Sequence, residues 1–282
     1  MRLRLPLLCL LILALASAGL AEDEDNAVWR RTFDRIAARY ELTRPEAKEG
    51  EKFPLVDRAT YTWSRSGPKG GTYGAVYVWI DRGNAAAVAC LWRDPYTNGR
   101  LSICHELHSL APVAIESHGT VAADWKPKGG VKRIPLPDAP IPAETAVGRM
   151  SQMRTLCRDF AAWSEGAAGD RTELRLLPQP LYRFQSTNPD VVDGGLFAFV
   201  CSVGTDPEIF LQLEAIRTSE GPRWHAVLGR FSHMNLFVRF QDKELWRAIR
   251  DQENPISHNA DHSYWVFHVP FDRSELDPPE KK

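Results

Sequence analysis

The sequence predicts an α+β fold in which a unit of one helix and an antiparallel β-meander occurs twice in tandem. Three observations support this prediction. Residues 55–79 and 176–200 align without a gap at an offset of 121 positions, with four identities in 25 pairs. The helical segments before them begin with similar residues. Trp125 and Trp246, which close the two meanders, are also 121 positions apart. Two unrelated α+β stretches with coinciding patterns are the alternative.

The N-terminal segment has the layout of a secretory signal. Arg2 and Arg4 precede the apolar run "LPLLCLLILALA", and small residues then lead into the acidic "EDED". This pattern predicts a signal peptide over residues 1–21, because the run is short for a spanning helix. A membrane anchor is the alternative reading. We expect an exported protein, periplasmic or extracellular, with no transmembrane segment after cleavage.

The rest of the chain divides into two repeats and a linker. Residues 22–125 form the first α+β repeat, with a helix from Asn26 and a hairpin "TYGAVYVWI–DRGN–AAAVACLWR". Residues 126–145 carry five prolines and are the predicted linker, because proline lacks a backbone donor. Residues 146–246 form the second repeat, which opens with the helix "AVGRMSQMRTLCRDFAAW". Residues 247–282 add a C-terminal strand and a tail.

Composition excludes some classes of protein. The chain is 44% hydrophobic and 25% charged, as in ordinary globular proteins. Its formal charge is −1, and removal of Arg2 and Arg4 with the signal makes it about −3. A nucleic-acid partner is not expected, since such proteins carry a basic stripe. No cofactor is predicted. Oligomerisation through uncovered sheet edges remains open.

The cysteines leave the disulfide state open. Four remain after signal cleavage: Cys90, Cys104, Cys157 and Cys201. An oxidising compartment permits disulfides, and four cysteines allow three pairings. Cys90 and Cys104 lie in neighbouring predicted strands. Buried thiols that act as small hydrophobic residues are the alternative.

Several stretches resemble a family of secreted bacterial proteins whose function is not established. These stretches are "HELHSL", "LRLLPQPLYRF", "DGGLFAFVCSVGTDPEIFLQLEAIR" and "RWHAVLGRFS". The resemblance covers most of the chain after the signal and is most specific in the second half. It implies an exported α+β protein, and it implies no activity, cofactor or catalytic residue.

The densest group of chemically active side chains is "ICHELHSL". On a strand, Cys104, Glu106 and His108 point to one face and His105 to the other. These three residues are the candidate catalytic group. A zinc-protease motif is excluded, because it needs two histidines four apart on a helix. Structural or solvent-facing roles are the alternative.

Two further groups are candidate binding sites. His258, Asp261 and His262 lie in one polar segment and could ligate a cation. A polar loop before an aromatic strand is the plainer interpretation. Trp63, Trp79 and Trp92 lie in predicted strands and could stack on a ligand. Core packing is the alternative for these tryptophans.

These features favour a non-catalytic, exported binding protein or an envelope-associated scaffold. No recognised catalytic motif is present in the sequence. The alternative is a hydrolase that acts on an extracellular or envelope polymer through histidine and carboxylate groups between the repeats. Convergence of Glu106 and His108 with Cys104 or another acidic group in a cleft would favour the enzyme.

Overall fold

The computed structural model describes most of the chain. The described residues are 25–48, 51–65, 71–94, 101–119, 121–122, 124–129, 131–202, 204–250 and 259–276. The predicted signal peptide at residues 1–21 and the candidate ligand His258 lie outside them.

Two helices and sixteen strands form the described part of the chain. The helices are α1 (residues 25–37) and α2 (Ala146–Leu156). The strands are β1 (Tyr40–Thr43), β2 (Tyr61–Arg65), β3 (Thr72–Asp81), β4 (Asn84–Asp94), β5 (Ser102–Ser109), β6 (Glu116–Gly119), β7 (Ile134–Pro135), β8 (Phe160–Glu165), β9 (Arg171–Leu176), β10 (Tyr182–Arg183), β11 (Val191–Cys201), β12 (Pro207–Thr218), β13 (Gly221–Arg230), β14 (Asn235–Phe240), β15 (Lys243–Ala248) and β16 (Tyr264–Pro270). Neither helix combines the length and the apolar character that crossing a membrane requires.

The strands form three antiparallel sheets. The five-stranded sheet has the order β16-β5-β4-β3-β2. The nine-stranded sheet has the order β15-β14-β8-β9-β11-β12-β13-β7, with β10 paired to β11. Strands β1 and β6 form a small separate sheet. The C-terminal strand β16 therefore completes the sheet of the first half of the chain, next to β5.

The two large sheets pack face to face, and each is also covered on its outer face. Side chains of a strand alternate between its faces, so β3 serves two cores. Val76 and Val78 meet Leu196 and Ala198 of β11 between the sheets. Tyr77 and its neighbours pack outward against α1. The outer face of β11 and β12 packs against α2 and strands β8 and β14. Both faces of β3 and β11 are buried, which explains their continuous apolar sequences.

The predicted hairpin at "DRGN" is confirmed. Asp81 pairs with Asn84, and Arg82 and Gly83 form the two-residue turn with φ of 49° and 79°. Positive φ at both positions matches the turn type that the strand twist favours. A Cβ on Gly83 would lie 2.0 Å from the carbonyl oxygen of Gln185. Glycine is thus required where the tip of this hairpin contacts the other half of the chain.

The predicted α+β class with a tandem helix-plus-meander unit is wrong. Strands account for 49% of the structure and helices for only 13%. The second half does not form a separate meander, because β8, β9, β14 and β15 extend it into a nearly closed nine-stranded sheet. Helix α2 ends at Leu156, and the predicted remainder of that helix forms a 3-10 turn and β8. Only Met153 and Leu156 of α2 are buried, so this helix lacks a broad apolar face.

The structure shows where the predicted linker packs and which strands form the edges of the two large sheets. Within residues 126–145, β7 pairs with β13, and Leu136 is buried in the second outer core. The outer edges are β2 and β16 in one sheet and β7 and β15 in the other. The domain boundaries and edge-mediated oligomerisation stay predictions.

Candidate functional site

A cavity of about 540 Å³ opens between the two large sheets, at one end of both. One wall comes from β2, β4, β5 and β16, and the other from β9, the β11–β12 hairpin and residues 231–234. Sites for small ligands typically have volumes of about 300–1,000 Å³. This cavity is therefore large enough for a small organic molecule.

Strand β5 brings two of the three candidate catalytic residues into the cavity. Cys104 and Glu106 line its wall, as the alternation of β5 predicted. His105 points to the opposite face, where its Nδ1 lies 2.5 Å from Oη of Tyr40. His108 shares the face of Glu106 but does not line the cavity, and its Nδ1 lies 2.6 Å from the carbonyl oxygen of Ser109. The predicted group is therefore brought together only in part.

Glu106 is a carboxyl group kept protonated at neutral pH. Its side chain is half-buried because it faces the cavity, and the loss of surrounding water raises its pKa to about 8. Oη of Tyr264 donates a 2.6 Å hydrogen bond to Oε1 of Glu106, which lowers the pKa, whereas nearby Glu208 and Asp206 raise it. An enzyme was favoured only if Glu106 and His108 both converged in a cleft with Cys104 or another acidic group. Glu106 does meet Cys104, Asp206 and Glu208 in the cavity, but His108 does not, so this condition is met only in part.

The β11–β12 hairpin supplies a second polar group that the sequence analysis missed. Sγ of Cys201 donates a 3.2 Å hydrogen bond to Oδ1 of Asp206, and Glu208 lies beside them. Burial raises the pKa of Glu208 to about 7, and Asp206 adds to the increase. The register of this hairpin was the missing information, since it brings residues 201, 206 and 208 to one place. The sequence signal is a thiol and two carboxyls around the turn "GTDP".

Aromatic side chains form the rest of the cavity wall. Trp63 and Trp92, two of the three candidate tryptophans, line it with ring centroids 6.4 Å apart. Nε1 of Trp63 donates a 3.2 Å hydrogen bond to Sγ of Cys90. Trp79 does not line the cavity, because it faces α1 and packs against Tyr40 with a centroid distance of 5.3 Å. Core packing therefore describes Trp79 fully and Trp63 in part, because Trp63 also belongs to the core between the sheets.

The predicted cation site near the C-terminus is not assembled by the described residues. Asp261 and His262 are both exposed. Neither belongs to a group of three metal-ligating side chains in the described ranges. Nε2 of His262 instead lies 3.3 Å from Nδ2 of Asn259. Their role as ligands has no geometric support within that part of the chain.

The four cysteines that could have formed disulfides are all buried thiols. Cys90 and Cys104 lie in adjacent strands, and burial raises the pKa of both thiols well above the usual range. Burial likewise raises the pKa of Cys157 to about 12. Thiols with such pKa values remain protonated at neutral pH and are weak nucleophiles.

No protein family, curated protein or solved structure matches this chain in sequence or fold comparison. The resemblance to secreted bacterial proteins therefore stays a prediction. We therefore infer the function from the geometry of the cavity.

Proposed function

We propose that this chain is an exported, non-catalytic binding protein that takes a small organic cation into the cavity between its sheets. One observation carries the proposal: carboxyl groups and aromatic rings line the same cavity. The carboxyl groups belong to Asp94, Glu106, Asp206 and Glu208, and the rings to Trp63, Trp92, Phe231 and Tyr264.

This combination suits an ammonium or amine group joined to an apolar body. A cation is attracted by carboxylates and by the faces of aromatic rings, and the latter attraction is worth about 0.5–2 kcal/mol. The cavity wall also contains three basic side chains, Arg65, His233 and His268. Burial lowers the pKa of His233, which favours its neutral form. Nδ1 of His268 lies 3.4 Å from Oδ2 of Asp94. Carboxylates therefore dominate the charge of the cavity once they are ionised.

A binding role agrees better with the cavity than covalent chemistry does. The thiols of Cys90 and Cys104 have raised pKa values and are poor nucleophiles. Glu106 is held by Tyr264 and is protonated at neutral pH when the cavity is empty. Entry of a cation favours the charged carboxylate, so binding releases a proton.

Isothermal titration calorimetry with three matched probes tests this proposal. Benzyltrimethylammonium and benzylamine carry the cation, whereas benzyl alcohol has a similar body without charge. We expect both cations to bind and the alcohol not to bind. Glu106→Gln should weaken binding of the cations about tenfold, which corresponds to about 1.4 kcal/mol. Glu220→Gln, at an exposed carboxylate, is the control and should leave binding unchanged.

Equal binding of benzyl alcohol would contradict the proposal, as would unchanged binding by the Glu106→Gln variant. The buffer dependence of the binding enthalpy provides a separate check. Proton release predicts that the enthalpy changes with the ionisation enthalpy of the buffer.

Hydrolysis of an extracellular or envelope polymer is the second candidate. The observation that favours it is the closeness of protonated Glu106 to Asp206 and Glu208. A protonated carboxyl beside ionisable carboxyls is the pairing that general acid–base catalysis uses. Release of reducing ends from purified peptidoglycan, lost in Glu106→Gln, would support this function. Absence of release by the unmodified protein would exclude this peptidoglycan activity and leave the binding role.

A further inference from the structure

We propose that Cys201, Asp206 and Glu208 form a binding site for a divalent transition-metal ion, with Zn²⁺ as the best match. One ligand atom from each residue lies within 4.8 Å of the other two. The site lies on the opposite cavity wall from Glu106 and shares Asp206 and Glu208 with the proposed organic-cation site, but it is inferred from the ligand geometry and not from the binding of an organic cation.

The fold determines this arrangement through the β11–β12 hairpin. Val200 pairs with Pro207 at the end of the ladder. The backbone N–H of Cys201 then donates to the carbonyl oxygen of Asp206 at 3.2 Å. Thr205 has a φ of 57°, so the chain turns sharply just before Asp206. Three ligands on one short hairpin need no movement of separate elements to reach a common ion.

Glu208 provides an independent indication that this group can bind a cation. Ser232 forms a hydrogen bond with the carboxyl group of Glu208, but its buried Oε2 atom has no hydrogen-bond partner among the described residues. The residue lines the cavity beside Cys201 and Asp206. A buried carboxyl oxygen without a donor is unfavourable, and a bound cation would satisfy it.

The donor set selects among metals. Zn²⁺ accepts thiolate and carboxylate ligands together, usually in four-coordinate geometry. Ca²⁺ and Mg²⁺ prefer oxygen ligands only, so the Cys201 thiolate disfavours them. Three protein ligands leave one coordination position for water or a ligand in the cavity.

Binding must displace a proton from Cys201. In the metal-free protein, Sγ of Cys201 donates to Oδ1 of Asp206. When the ion binds, the S–H bond breaks and its proton passes to solvent. Bonds from Sγ and the carboxylate oxygens to the ion replace the hydrogen bond.

Cobalt(II) titration of metal-free protein, purified without a polyhistidine tag, tests the site. Cobalt bound to a thiolate gives a charge-transfer band in the near ultraviolet, which carboxylates alone do not produce. We expect about one equivalent of Co²⁺ to develop this band and Zn²⁺ to displace it. Calcium at the same concentration should leave the band unchanged.

Variants assign the ligands. Cys201→Ala should abolish the charge-transfer band, and Glu208→Gln should weaken Zn²⁺ binding by at least about tenfold. Cys157→Ala is the matched control, because Cys157 is a buried thiol outside the cavity. Circular dichroism shows whether each variant is folded, and the near-isosteric Glu208→Gln keeps the test decisive if Cys201→Ala misfolds. Unchanged Zn²⁺ affinity in folded Glu208→Gln would overturn the assignment, as would failure of the unmodified protein to bind Co²⁺.

Discussion

Oη of Tyr264 donates a 2.6 Å hydrogen bond to Oε1 of Glu106, and this bond joins β16 to β5 in the wall of the cavity. Tyr264 pairs in the ladder with His108, two residues beyond Glu106, so its side chain reaches diagonally across β5. This contact holds the carboxyl of Glu106 in place. It depends on β16 joining the five-stranded sheet.

The first prediction concerns this hydrogen bond. Tyr264→Phe should raise the pKa of Glu106 further, because the hydroxyl stabilises the ionised carboxylate. Loss of the bond should also lower the free energy of unfolding by about 1–2 kcal/mol. Carbon-13 NMR titration of labelled glutamate measures the pKa, and urea unfolding measures the stability.

Tyr61→Phe is the control for this prediction. Oη of Tyr61 donates to the carbonyl oxygen of Thr205 at 3.0 Å, so the variant also loses one tyrosine hydrogen bond. It should lower stability without raising the pKa of Glu106. A Glu106 pKa that stays constant or falls in Tyr264→Phe would contradict the role of the contact.

The second prediction concerns alkaline loss of stability. The pKa of Glu106 is raised from about 4.5 to about 8 in the folded protein. The folded state therefore binds a proton at Glu106 more tightly than the unfolded state does. The contribution of this group to the free energy of unfolding is full below pH 4.5 and is lost as the pH rises to about 8. We expect the free energy of unfolding, measured with urea from pH 5 to 8, to fall in the unmodified protein relative to the Glu106→Gln variant as the pH rises. The variant lacks the titrating carboxyl group and so does not share this loss. A constant difference across this range would be inconsistent with the raised pKa.

The third prediction concerns acidification. Burial lowers the pKa of His108 to about 4, so its neutral form is favoured in the folded state. A depressed histidine pKa contributes stability above pH 6.5, and this stability is lost as the pH falls toward 4. His108→Gln should therefore lose less stability than the unmodified protein between pH 6.5 and 4. Thermal unfolding measures the effect, with exposed His118→Gln as control. Parallel pH profiles for His108→Gln and the unmodified protein would refute it.

The fourth prediction concerns the glycine behind Trp63. A Cβ at Gly74 would lie 2.4 Å from the indole of Trp63. Gly74→Ala should displace the ring into the cavity and destabilise the fold by about 1–3 kcal/mol. Adding Trp63→Leu should reduce the cost of the alanine, because the clashing ring is gone. Urea unfolding of the two single variants and the double variant measures the coupling. Strict additivity would show that the ring is not the obstacle.

Local patterns predicted the parts of this fold that depend on neighbours in sequence. The "DRGN" turn followed from turn chemistry, and the faces of Cys104 and Glu106 followed from strand alternation. The predicted end of α2 was wrong, because the segment after Leu156 is short and its apolar residues fit either a helix or a strand. Over so few residues, the local sequence does not distinguish the apolar spacing of a helix from that of a strand.

The candidate site depends on contacts between distant strands, which the sequence does not specify. Trp63 and Trp79 look alike in sequence, yet the first lines the cavity and the second packs under α1. Cys201 and Glu208 come together only through the register of one hairpin. The nine-stranded sheet similarly depends on β8, whose residues pair with residues of β14 that lie 70 to 80 positions later in the chain.

A crystal structure of the protein with benzyltrimethylammonium shows directly whether the cavity binds an organic cation. We expect density for the ligand inside the cavity, with its ammonium group facing Glu106 and its ring against Trp92. Density only at another surface, or an empty cavity at saturating ligand, would contradict the claim that this cavity binds organic cations.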